Sequence, residues 1–145
     1  MPARNSETAE TAVSRGAGKI LVDVRRGDDP GEVRLFTFAG LAVTEAFMAR
    51  EPEALAAAVR AIVRAQKALR ADPQLAAQVG KGKFPAEAAA LLTPIVERDA
   101  RFYDPYIYEE AVAGMNRFAQ SVGHLSTPVP YEQVAAVGCR ELWRL

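Results

Sequence analysis

The chain has 145 residues, half of them apolar, with eighteen Lys and Arg against eighteen Asp and Glu, one histidine and one cysteine. That length and apolar content suffice for one domain with a sizeable core, and the balanced charge supplies no field for nucleic acid or an anionic membrane. Cys139 has no second cysteine for an internal disulfide, and His124 alone neither builds a metal site nor gives a serine or cysteine nucleophile its base, so no metal, cofactor or catalytic residue is expected.

In chain order, residues 1–10 form a polar tail, and ETAVSRGAG reads as a short helix stopped by Gly16 and Gly18. The start lacks the hydrophobic core and cleavage site of a secretory signal, so the chain as written is expected to stay in the cytoplasm. KILVDV, residues 19–24, is nearly continuous in apolar residues, as in a strand covered on both faces, and RRGDDPG supplies the turn that ends it. β-Branched and aromatic residues return in EVRLFTFAGLAVTEAFM, which predicts a second strand near 33–40 and a helix before Glu51. Its uncharged run LFTFAGLAVT is about half the roughly 20 residues a membrane-spanning helix needs.

From Glu51 onward, proline at the first helical position sets the pattern. EPEALAAAVRAIVRAQKALRA places Leu55, Val59, Ile62, Val63, Gln66 and Leu69 at helical spacing. Asp72-Pro73 opens a short helix closed by Gly80, and Phe84-Pro85 opens another in which Pro94 should kink or split the chain. In RFYDPYIYEEAVAGMNRFAQSVGHL the same logic makes Asp104 the N-cap and Pro105 the first helical residue, with Tyr103 stapled to Tyr108. Tyr108, Ala111, Val112, Met115, Phe118, Ala119 and Val122 continue the apolar stripe as far as a C-cap glycine, Gly123. The aromatics read first as a helix-entry device; the alternative is that Phe102, Tyr103 or Tyr106 touches a ligand. The closing STPVPYEQVAAVGCRELWRL predicts an extended link and an amphipathic helix, with Trp143 packed.

Most motif-like strings fail on spacing. GAGK at 16–19 lacks the upstream glycine and the following Ser or Thr of a phosphate loop, because Val13 and Ile20 occupy those places. GKGK at 80–83 reads as a solvated turn, and RGD at 26–28 as a chance tripeptide. Glu109-Glu110 and Asp28-Asp29 are neighbours whose carboxylates do not converge on one substrate. The polar cluster that stands out is DVRRGDD. There Arg25 and Arg26 follow a strand end, placed either to clamp an oxyanion or to pair with Asp23, Asp28 and Asp29 and order the loop.

The run KILVDVRRGDDPGEVRLFTFAGLAVTEAFMAREPEALAAAVRAIVRAQKAL resembles the C-terminal part of the extracytoplasmic substrate-binding proteins of ABC importers, and so does FPAEAAALLTPIVERDARFYDPYIYEEAVAGMNRFAQSVGHLSTPVPYEQVA. The branch is the one grouped with nitrate, taurine, aliphatic-sulfonate and thiamine-pyrimidine-precursor binders, and the resemblance covers roughly residues 11 to 144. It implies a helix-rich piece of an α/β, type II periplasmic-binding-protein fold, two or so strands followed by about five helices. On that pattern residues 11–32 are a remnant of the second lobe and hinge approach, and 33–145 the helix-rich part of the first lobe. The resemblance further implies a solute binder and not an enzyme, a periplasmic location, an ABC permease as partner and a small solute; the residues themselves offer Arg25, Arg26, Tyr103 and Tyr106 as its contacts, and the solute is anionic if Arg25 or Arg26 touches it. Full members are about twice as long, so the expected strand at 33–40 would lack sheet partners and favour a homo-oligomer. The rival expectation is a stand-alone helical module for self-association or protein interaction.

Overall fold

A computed structural model describes residues 6–24, 28, 31 and 40–144, with side chains from residue 9 onward. Its helices are α1 (Ser6–Ser14), α2 (Glu45–Arg50), α3 (Pro52–Ala71), α4 (Gln74–Gly80), α5 (Ala86–Asp99), α6 (Glu109–Ser121) and α7 (Tyr131–Val134). Two 3-10 segments, Ala100–Phe102 and Val137–Arg144, complete the order. No strand occurs among the described residues, so the expected α/β type II binding-protein architecture is corrected to a helix-rich one without strands among those residues.

Residues 19–24 show the physical reason. They carry the composition of a strand but form no strand pairing among the described residues, and a lone strand cannot satisfy its own backbone N–H and C=O groups. The burial pattern is the reverse of the expected one: Leu21 is 78% exposed, whereas Asp23 is 4% exposed. The Asp23 N–H donates to the Asp28 carboxylate at 3.1 Å, which makes this stretch a polar-anchored loop. Of the second expected strand, residues 33–39 lie outside the described residues.

The chain divides into two compact units. The first comprises residues 1–28 and 65–104. Within it α1 and α4 both pack on α5, and Ala88, Val96 and Ala100 are buried. Gly80, the last residue of α4, allows α4 to approach α5 closely, because a Cβ there would sit 2.3 Å from Leu92 Cδ1. α5 continues through Pro94, so of the expected kink or split the split does not occur; the ring removes one backbone donor, and packing from α1 and α4 holds the remainder helical.

The second unit comprises residues 29–64 and 105–145. It contains α2, the Pro52–Arg64 part of α3, α6 and α7, with Leu55, Val63, Ala111, Val112, Ala135 and Trp143 buried. The Thr44 hydroxyl caps α2 by accepting from the Phe47 N–H at 3.1 Å. α3 follows from its sequence: Pro52 at the first position, an Ala-rich interior, Glu53 in the first turn and Arg70 in the last. α6 begins at Glu109 with Tyr108 as its N-cap, four residues later than the expected start at Pro105. The segment between is held extended by tertiary contacts: Tyr131 Oη donates to the Ile107 carbonyl at 2.6 Å, and the Tyr106 ring packs on Tyr108 and Trp143. At its other end α6 closes as its sequence predicts. Gly123 adopts a left-handed backbone (φ 79°) and donates to Gln120, while the His124 N–H reaches the Ala119 carbonyl at 2.8 Å.

Candidate functional site

Four residues are the expected ligand contacts: Arg25, Arg26, Tyr103 and Tyr106. Arg25 and Arg26 lie outside the described residues. Tyr103 belongs to the first unit, where it follows the Ala100–Phe102 turn and is half-buried. Its hydroxyl is held above the ordinary 10.0, first by burial and then by the negative charge of Asp99, so the phenol stays protonated and able to donate. Tyr106 belongs to the second unit. Its ring lies 5.8 Å from that of Tyr108 in a stacked arrangement and 5.9 Å from that of Trp143 in an edge-on one. These geometries are the favoured ones for aromatic pairs and account for the burial of Trp143. The two tyrosines, three positions apart in sequence, thus serve separate clusters.

Within the second unit, α6 and the segment that follows it enclose a groove of about 320 Å³. Ile107, Val112, Met115, Ala119, Leu125 and Val134 supply its apolar walls. One polar side chain, Asn116, completes the lining with Val129. Its amide is engaged at both ends: Nδ2 donates to the Val129 carbonyl at 2.8 Å, and Oδ1 accepts from the Val129 N–H at 2.9 Å. Since no charged residue lines the groove, its chemistry suits an apolar group and offers no counter-charge to an anion. Elsewhere in the second unit, the Arg140 guanidinium lies 5.5 Å from the Tyr131 ring centroid and 3.8 Å from Glu109, linking the 3-10 segment to the start of α6.

The remaining face of α6 decides what the groove opens onto. Met115, Phe118 and Val122 recur at i, i+3 and i+7, and all three are exposed. The apolar stripe expected in α6 is therefore buried along one margin only, at Ala111 and Val112, and open along the other.

Sequence reasoning missed Asn116 and the Glu10–Arg98–Asp99 cluster. The signal for Asn116 was legible: it stands four residues after Val112 on an apolar helix face, and the Pro-Val-Pro run at 128–130 carries a single N–H for it to accept. No local signal pairs Glu10 with Arg98, 88 positions apart. No metal-binding group of His, Cys, Asp and Glu occurs among the described residues, and none of their helices is long and apolar enough to cross a membrane. No protein-family model, curated protein or solved structure matches the chain.

Proposed function

We propose that the chain is a helical interaction module that associates with itself or with another protein through the open apolar face of α6. The observation that carries this reading is the exposed row Met115, Phe118 and Val122 beside an uncharged groove. Large apolar side chains grouped on one face mark association surfaces more often than scattered ones do. The test is light scattering over a concentration series for the wild type and for Phe118→Asp. Association that grows with concentration and weakens at least about tenfold in the variant supports the reading, which corresponds to about 1.4 kcal/mol. A strictly monomeric wild type that captures no partner would overturn it.

A second reading, a solute-binding component of an ABC importer, is supported by the ordered sequence resemblance; the uncharged groove lies at the lower end of the range for small-ligand pockets, about 300–1,000 Å³, and suits only the apolar part of such a solute. On that reading the chain delivers its solute to a permease outside the cytoplasm. Thermal melting with aliphatic sulfonates, nitrate and pyrimidines separates the two. A melting point raised by one of these solutes favours transport; melting that responds to protein concentration alone favours association.

A further inference from the structure

We infer that α1 is a salt-releasable cover over an apolar stripe of α5. This concerns the first unit and holds whatever α6 binds. Along α5, Glu87, Leu91, Ile95 and Arg98 stand at i, i+4, i+8 and i+11 and so share one face. The two charged ends of that face reach α1 or the residue after it: Glu87 accepts from Arg15 Nε at 2.9 Å and Nη2 at 2.6 Å, and Arg98 pairs with Glu10. Between the ends, Leu91 and Ile95 are half-buried. Acid and base alternate across the contact, so α1 runs antiparallel to α5 and a parallel docking would oppose like charges.

Two ion pairs fasten this helix and the residue after it to α5. None of its described side chains, Ala9 to Ser14, is buried, and nine residues are too few to hold a helix in isolation. The Arg15 and Glu87 side chains are 61% and 57% exposed, a setting in which salt screens the attraction, whereas Arg98 and Glu10, at 26% and 20%, are screened less, so salt acts first at the Arg15 end. Release also leaves no orphaned charge. Arg98 remains bonded to Asp99 through Nε at 2.6 Å and Nη2 at 2.9 Å, and Glu10 passes into water. An ion pair whose inner member keeps a second partner can open without the large cost of stripping a buried charge.

Hydrogen exchange at the α1 amides in the whole protein tests this, with the α5 amides as internal reference. Exchange in α1 is expected to quicken about tenfold or more between low salt and about 0.5 M, while that of α5 holds. At low salt Arg15→Glu should produce the same quickening, and the double variant Arg15→Glu with Glu87→Arg should restore protection. Exchange that ignores both salt and the single reversal, or that changes in α1 and α5 together, would overturn the inference.

Discussion

Tyr103 couples one hydroxyl to the stability of the first unit. Burial and the nearby charge of Asp99 both disfavour the phenolate, so its folded-state value lies above the ordinary 10.0 of the unfolded chain. The folded state therefore holds its proton more tightly. That contribution is complete below the unfolded value and is lost as pH rises from there through the folded one. Urea midpoints measured upward from neutral pH are expected to fall above about pH 10, and Tyr103→Phe should flatten the fall. An unchanged slope in the variant would place the alkaline sensitivity elsewhere. Asn116 shows the opposite use of a polar side chain: buried, it is satisfied by backbone and stays uncharged at every pH, locking the Pro128–Pro130 segment to α6.

At the scale of elements, proline and glycine wrote most of the legible structure. α3, α4 and the end of α6 fall where Pro52, Pro73 and Gly123 predict, because these residues act on their own backbone and need no distant partner. Asp104-Pro105 carries the same signal and starts no helix, since Tyr106, Ile107 and Tyr108 find better contacts with Trp143 and Tyr131 than helical geometry would allow. Strand 19–24 failed for a related reason: its composition describes a strand that has neighbours, and neighbours cannot be read from the segment itself. Of the candidate site, the α6 stripe was legible from its period, whereas which margin stays open was not, because that depends on what packs against it. Pro94 makes the element scale measurable. It sits exposed in the interior of α5, where position 94 offers no N–H to the Ala90 carbonyl. Pro94→Ala should restore that bond and raise unfolding free energy by about 1–3 kcal/mol in urea titration; a loss of stability would mean that α1 or α4 packs against a bend the proline imposes.

For the whole molecule, the question is why so much apolar surface stays in water. Half the residues are apolar, yet many large side chains are exposed, from Val13 and Leu21 to Phe118 and Val137. Singly scattered, such side chains are ordinary; grouped in one patch, they mark a surface for association. Leu21, Val22 and Val24 form the densest exposed run, and its β-branched composition favours edge pairing with another chain. The double variant Leu21→Lys with Val22→Lys separates a surface role from a folding role. Since both side chains face water, the melting temperature of the dilute protein is expected to hold, corresponding to a change within about 0.5 kcal/mol. The concentration at which light scattering first rises should increase, because charge on an exposed strand-like segment blocks pairing between copies. A lowered melting temperature at dilution would instead assign the run to the fold of the first unit, and an unchanged scattering onset would leave the face of α6 as the surface that draws copies together.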